Sequence, residues 1–202
     1  MSNIGHVKWG KTPRLFNSLM TVTEKIDGTN CAIHIHLKEE VERGIIDGSL
    51  TDVSVSHVYD WAVYAQSRNR LLSEDNDNHG FARWVAQNAE SLFIELGQGL
   101  HFGEWAGKGI NRGYDAEDKS FFLFNTEKWD ERNLTTPGLR VVPTMATGMF
   151  SEFAVLRCIE ELEDGSDAYP GYMNPEGLCV YHHSSNKVFK YSLNGDGHKA
   201  EQ

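Results

Sequence analysis

A lysine stands just ahead of an Asp-Gly pair in the segment Thr23–Asn30, which reads TEKIDGTN. A lysine amine that has lost its proton is a nucleophile toward carbonyl and phosphoryl groups. Lys25 also closes a run of alternating apolar and polar residues, the pattern of a half-buried strand. Asp27-Gly28 therefore has two interpretations: a two-residue hairpin turn, or a bend that leaves a reactive amine at the mouth of a pocket.

Other charged residues recur where predicted strands begin or end. Side chains at the ends of neighbouring elements can converge on one cleft, so this set is a candidate site. An aromatic strand, residues 120–125, accompanies it. The charged residues are Arg68 and Arg70 in QSRNR, Glu104 in FGEWAG, Glu176 in PEGLCV, and Lys187 and Lys190 in KVFK.

The elements that must position these residues are short strands joined by turns, with two helices between them. The predicted order is mostly that of hairpins, which indicates an α+β fold with antiparallel sheets. The chain has no internal repeat. The predicted strands are residues 21–37 with a turn or bend at Asp27-Gly28, then 53–57, 62–66, 100–105, 120–128, 177–183 and 187–192.

Two helices are predicted from apolar residues at three-to-four spacing. The first covers residues 80–96 and stops at Gly97. The second covers about residues 150–163, with Gly165 after its end. The residues expected to face the core are Phe81, Trp84, Val85, Ala89, Leu92, Phe93 and Leu96 in the first helix, and Phe153, Ala154, Ile159 and Leu162 in the second.

Length and composition indicate one domain, residues 1–202, with 40% hydrophobic residues to form a core. No stretch is apolar enough to span a membrane or to serve as a signal peptide. Three widely spaced cysteines argue against a disulfide framework or a zinc site, so we expect a reducing cytoplasm. The net charge of -10 disfavours nucleic-acid binding by bulk charge, but leaves room for a local basic groove.

Taken together and in order, the motifs resemble those of the covalent nucleotidyltransferase superfamily, which contains polynucleotide ligases and RNA-capping enzymes. They are most similar to those of ATP-dependent RNA ligases of the phage nick-joining type. Thr29-Asn30 after the glycine suits RNA ligases better than capping enzymes, which more often have Arg there. The matching segments are EKIDGTN, FGEWAGKGI, EG at 176–177 and VFK at 188–190.

The resemblance implies an ATP- and Mg²⁺-dependent RNA ligase with antiparallel sheets flanking a nucleotide cleft, in an ATP-grasp-like arrangement. Lys25 would attack ATP and hold a lysyl-AMP, aided by Lys190 and a bound Mg²⁺ as positive neighbours. AMP would then pass to a 5′-phosphate end, and a 3′-hydroxyl would expel it to join the strands. The other implied roles are Glu176 for the metal, Glu104 for the ribose, Arg68 for the ribose or the 5′-phosphate, Phe122 or Phe124 for stacking on adenine, Lys187 as a second phosphate contact, and Glu24, Ile26 and Asp27 beside the nucleotide.

Two departures from the family pattern leave alternatives open. Only twelve residues follow Lys190, so we expect no C-terminal accessory domain, and a protein partner is a candidate replacement. A second lysine, common two residues beyond Lys190, is replaced by Ser192. The alternatives are a self-adenylylating enzyme that needs a partner to seal, a DNA ligase or capping-like enzyme, and a non-catalytic nucleotide-binding module.

His34 and His36 share a strand face, but the sequence offers no further metal ligand at a suitable spacing, so these histidines do not predict a metal site.

Overall fold

Two β-sheets face each other in the computed structural model, which describes Gly5, residues 7–43 and residues 56–194. The smaller sheet has the strand order β11-β10-β1-β9 and is antiparallel throughout. Helix α4 covers its outer face, packing Cys158 and Leu162 against Met20 and Val22. The elements are β1 (Leu19–Lys25), β9 (Thr144–Met149), α4 (Glu152–Glu163), β10 (Gly177–His182) and β11 (Lys187–Ser192).

The larger sheet has seven strands, with helices α2 and α3 packed on its outer face and Val41 of helix α1 packed on the opposite face. Its order is β3-β4-β2-β6-β7-β8, with β5 beside β4. Every pair in it is antiparallel except β7 and β8, which are parallel. Its elements are β2 (Thr29–Leu37), α1 (Lys38–Glu42), β3 (Ser56–Val58), β4 (Trp61–Ser67), β5 (Leu71–Leu72), α2 (Phe81–Gln87), α3 (Ala89–Leu96), β6 (Gly99–Gly107), β7 (Lys119–Leu123) and β8 (Leu139–Val141).

The bend at Asp27-Gly28 carries the chain from one sheet to the other. Lys25 ends β1 in the small sheet, and Thr29 begins β2 in the large one. The strands predicted on either side of this bend are confirmed, but the hairpin interpretation is wrong because β1 and β2 do not pair. Glycine is required at this crossing, since a Cβ on Gly28 would lie 2.4 Å from the carbonyl oxygen of Trp105.

The first predicted helix is confirmed in position but is two helices, α2 and α3, which meet at Asn88. The apolar stripe faces the core as expected: Phe81, Val85 and Leu92 are fully buried against the large sheet. The pattern of apolar residues continued across the break, so the sequence did not reveal it.

The second predicted helix begins at Glu152, where the side chain of Ser151 accepts a hydrogen bond from the backbone N–H of Ala154 at 3.3 Å. The prediction that Phe153 faces the core is wrong, because this ring is 70% exposed. The buried Leu162 is nine positions after Phe153, an offset that at 3.6 residues per turn places the two on opposite sides of α4.

The predicted strand at 120–128 ends early, at Leu123, since the chain turns at Phe124 and Asn125. The strand predicted at 53–57 lies partly outside the described residues, which resume at Ser56. In the described part of the chain, no helix has both the length and the apolar character needed to cross a bilayer.

Candidate functional site

A cavity of about 950 Å³ lies between the two sheets. Along β1, alternate side chains share a face, and Thr21, Thr23 and Lys25 all border this cavity. The neighbouring strands of the small sheet continue the same wall. They contribute Cys179 and Tyr181 from β10, and Val188 and Lys190 from β11.

The facing wall belongs to the large sheet. The register places Asn30 of β2 beside Glu104 of β6, and both border the cavity. Arg68 follows β4 at its edge. The remaining lining residues are mostly aromatic or polar and come from β6 and from the turn after β7. They include Leu100, Phe102, Phe124, Lys128 and Trp129.

The predicted nucleophile and the predicted metal-binding acid are in contact. Lys25 Nζ lies 2.5 Å from Glu176 Oε2, and both side chains are mostly buried. The strand pairing explains this approach, since Lys25 is opposite Gly177 in the β1–β10 register. Gly177 has a φ of +151°, and a Cβ there would meet the carbonyl oxygen of Tyr191 at 1.9 Å. Glycine at 177 thus lets β11 approach closely and places Glu176 at the end of β1.

Glu104 is a buried carboxylate on the opposite wall. The backbone N–H of Gly28 donates to Oε1 at 3.2 Å, and the amide of Asn30 donates to Oε2. The pKa of Glu104 is raised to about 7, chiefly by burial and to a smaller extent by the charge of Glu176. The hydrogen bond from Asn30 and the charge of Lys25 act in the opposite direction. Glu104, Glu176 and Lys25 therefore form one electrostatic group.

Arg68 joins this group through Asn30. Its Nε donates to Asn30 Oδ1 at 3.2 Å, and its Nη2 donates to the same oxygen. Asn30 in turn donates to Glu104, so the three residues form a chain of hydrogen bonds from the cavity edge to its interior. Asn30 belongs to the quoted motif, yet sequence reasoning gave it no role in the site.

The Asp27 side chain is held by the loop that follows β6. Arg112 Nε donates to Asp27 Oδ2 at 3.0 Å, and Asn111 Nδ2 donates to Oδ1 at 2.8 Å. The backbone N–H of Asp27 donates to the hydroxyl of Tyr114 at 2.6 Å. These contacts hold the Asp27 carboxylate against residues 111 and 112, at the border of the cavity.

Sequence reasoning missed Asn111, Arg112 and Tyr114. The signal available was the glycine-rich composition of residues 107–113, a segment that begins three residues after Glu104. Several non-glycine residues of this loop have positive φ, including Asn111 and Tyr114. Such a backbone is irregular, so no periodic pattern could indicate which side chains return toward Asp27.

The side chains of Glu24 and Ile26 point away from the cavity, although both residues border it. The Glu24 carboxylate accepts hydrogen bonds from Ser166 Oγ at 2.6 Å and from the backbone N–H of Ala168 at 2.8 Å. Burial raises the pKa of Glu24, while these hydrogen bonds lower it. Ile26 packs into a small core with Phe122. Any contact of these two residues with a ligand is therefore through the backbone.

Two further predicted residues lie off the cavity. Phe122 is fully buried with Ile26, and the guanidinium of Arg140 lies 4.8 Å from its ring centroid, so Phe122 is not available for stacking on a base. Phe124 is 44% exposed and borders the cavity.

Lys187 and Lys190 are three positions apart on β11, so their side chains lie on opposite faces of the strand, and only that of Lys190 borders the cavity. The predictions for Phe122 and Lys187 therefore do not fit the structure, whereas those for Phe124 and Lys190 stay open.

Among the described residues, no group of three or more His, Cys, Asp or Glu side chains could hold a metal ion alone. His34 instead contacts Gln66, with Nε2 and Oε1 2.6 Å apart. Mg²⁺ is usually held by one or two carboxylates together with substrate phosphates and water. Glu176, with Glu104 across the cavity, is a donor set of that kind.

A profile of the RNA ligase family matches residues 19–192, which include every residue of the cavity described above. The chain belongs to the RNA ligase family. No curated protein has a sequence that matches this chain.

Solved structures of Naegleria gruberi RNA ligase share the fold of this RNA ligase family member. A variant with ATP and Mn superposes with a TM-score of 0.57 at 17% identity, and a variant with AMP and Mn gives the same values. An apo variant superposes with a TM-score of 0.56 at 18% identity. In each case the match covers 89% of this chain and 51% of the other. The chain thus spans about half the length of these ligases.

Proposed function

We propose that this protein is an ATP-dependent RNA ligase that works through a covalent adenylate on Lys25. The observation that carries the proposal is the position of Lys25 Nζ, on the wall of the cavity and 2.5 Å from Glu176, with Glu104 opposite. Membership of the RNA ligase family supports the same reaction class.

In the first step, Lys25 Nζ attacks the α-phosphorus of ATP. A nitrogen–phosphorus bond forms, the bond to the bridging oxygen breaks, and pyrophosphate leaves. The ammonium must first lose a proton, and the carboxylate of Glu176 is an acceptor within reach. Such a transfer depends mainly on positioning and on neutralising the phosphate charge.

The remaining cavity residues have roles that fit their positions. Lys190 contacts the α-phosphate from β11, and Glu104 accepts a hydrogen bond from the ribose. Phe124 supplies an exposed ring for stacking on adenine. Arg68, at the cavity edge, contacts the ribose or the 5′-phosphate of the acceptor strand.

A divalent cation fits beside Glu176, with Glu104 as the second carboxylate in the cavity. When bound it would neutralise charge on the phosphates. The chain's own contribution is to hold Glu176 at the end of β1 and to keep the amine and the carboxylate on the same wall.

In the later steps, AMP moves from Lys25 to a 5′-phosphate end, and a 3′-hydroxyl then displaces AMP and joins the strands. These steps need nucleic-acid contacts beyond the cavity. They are a separate part of the proposal, since the chain spans about half of the ligases it resembles in fold.

Incubation with α-³²P-ATP and Mg²⁺, followed by denaturing electrophoresis, tests the first step. We expect label on the wild-type chain, none on Lys25→Ala and none with α-³²P-GTP. Label from GTP alone would indicate a capping-like enzyme. A folded wild-type chain that binds ATP but takes up no label would indicate a non-catalytic nucleotide-binding module.

Sealing is tested with 5′-³²P-labelled nicked duplexes of RNA and DNA and with single-stranded RNA. We expect joined RNA product. Accumulation of adenylylated 5′ ends without joined product would indicate that sealing needs a partner. Sealing of DNA in preference to RNA would overturn the assignment of RNA as substrate.

A further inference from the structure

The N-terminal part of the chain differs sharply in charge from the rest. The first 23 residues contain Lys8, Lys11 and Arg14 but no Asp or Glu, whereas the whole chain has 29 acidic residues and a net charge of -10. All of the acidic residues therefore follow Thr23. A basic arm on an acidic body is a pattern typical of proteins whose arm binds nucleic acid.

Residues 7–14, here called the arm, are all exposed. The ring of Trp9 is 91% exposed, between two lysines in the sequence. The base of the arm is attached to the small sheet. His182 Nε2 lies 3.0 Å from the carbonyl oxygen of Leu15, and the ring of Phe16 meets that of Phe150 at a centroid distance of 5.9 Å. The arm is therefore exposed along its length, while the residues that follow it are attached to the small sheet.

The position of the arm relates it to the cavity. It precedes β1, whose first residue is Leu19 and whose last is Lys25, a length of about 20 Å. Eight extended residues reach at most about 28 Å. The arm is therefore longer than the distance along β1 from Leu19 to Lys25. A nucleic-acid strand bound by the arm at one end of the small sheet can extend to Lys25 at the other end. The family match begins at residue 19, so it does not include the arm.

We propose that the arm binds single-stranded RNA, with Lys8, Lys11 and Arg14 on phosphates and the indole of Trp9 stacked on a base. Exposed aromatic rings among cations are the usual means of binding single strands without sequence preference. An acidic polypeptide would satisfy the three cations but would offer the indole no base to stack on. The identification of this RNA as the acceptor strand rests on the proposed ligase function.

The test is the fluorescence anisotropy of a fluorescein-labelled single-stranded RNA of roughly 12 nucleotides, titrated without ATP at several KCl concentrations. Each phosphate contact on a single strand contributes about -0.7 to the slope of log K against log salt. We expect Lys8→Gln/Lys11→Gln/Arg14→Gln to reduce the magnitude of this slope by about two. We expect Trp9→Ala to weaken binding about 5- to 100-fold at constant slope.

The matched control is Arg43→Gln/Arg83→Gln/Arg157→Gln, which removes the same charge from exposed positions elsewhere. It should leave the slope within about 0.5 of wild type. Equal losses in the two triple variants would overturn the proposal, since bulk charge would then explain binding. So would displacement of the RNA by polyglutamate together with an unchanged affinity of Trp9→Ala.

Thermal melting of each variant confirms that it is folded. Because binding is measured without ATP, and labelling of wild-type Lys25 is measured without RNA, either proposal can fail alone. An unlabelled chain whose arm variants behave as expected would retain the arm as an RNA-binding segment but remove the ligase function.

Discussion

Arg112 and Asp27 form an ion pair, Nε to Oδ2, at 3.0 Å, and Nη1 of the same guanidinium donates to the carbonyl oxygen of Asn174 at 3.0 Å. Asp27 lies two residues after Lys25, and Asn174 lies two residues before Glu176. A single side chain thus links the two segments that carry the Lys25–Glu176 pair.

This bridge leads us to expect that Arg112→Ala slows adenylylation of Lys25 by about 10- to 100-fold at saturating ATP, because small displacements of reacting groups are costly. Arg112→Lys should not restore the rate, since one ammonium cannot reproduce the fork of a guanidinium. Single-turnover labelling measures the rate, and the ATP concentration for half-maximal rate should change less than the rate itself.

The control for Arg112 is Arg140→Ala. Arg140 makes the same kinds of contact, with the Glu131 carboxylate at 3.0 Å and the Ala168 carbonyl at 2.6 Å, but it does not touch Asp27 or Asn174. We expect a comparable loss of thermal stability with labelling near the wild-type rate. Equal effects of the two substitutions on labelling would show that Arg112 matters only for stability.

The raised pKa of Glu104, about 7, predicts a pH-dependent stability. The folded state keeps a proton on Glu104 that the unfolded state releases near the usual value of 4.5, so this contribution to stability decreases as pH rises from about 4.5 to about 7. Glu104→Gln cannot ionise. It should be more stable than wild type at pH 8 by at most about 3 kcal/mol, with the difference lost by about pH 4. Urea denaturation at both pH values measures this, and parallel pH profiles would contradict it.

Phe122 and Phe124 should separate stability from ligand binding. Phe122→Ala removes a fully buried ring and should lower the free energy of unfolding by about 3–5 kcal/mol. Phe124→Ala removes a partly exposed ring and should leave that free energy almost unchanged, while raising the ATP concentration for half-maximal labelling about 10-fold. Denaturation and labelling of both variants would test the assignment, which an unchanged ATP dependence in Phe124→Ala would refute.

Lys190 and Lys187 offer a matched pair on one strand. Lys190 borders the cavity and Lys187 does not, so Lys190→Ala should slow adenylylation by about 100-fold or more. Lys187→Ala should stay within about twofold of wild type. Single-turnover labelling measures the rate for both variants. A larger effect of Lys187→Ala than of Lys190→Ala would show that Lys187, and not Lys190, contacts the phosphate.

Local patterns in the sequence carried much of the fold. Alternation predicted the strands around Lys25, and the three-to-four spacing of Phe81, Val85 and Leu92 predicted a buried helical face. The order of the motifs also predicted Lys25, Glu104 and Glu176 as residues of one site. Each of these signals lies within a few residues of chain, where backbone preference and side-chain period act directly.

Tertiary structure decided what depends on distant partners. The placement of β1 and β2 in different sheets follows from the pairing of β1 with β9 and β10. Lys190 and Lys187 lie on opposite faces of β11, and the packing of the sheets determines which face borders the cavity. The contacts of Arg112 with Asp27 and Asn174 join residues 85 and 62 positions apart in sequence. Such contacts form only when the sheets pack, so the residue types of a short segment cannot specify them.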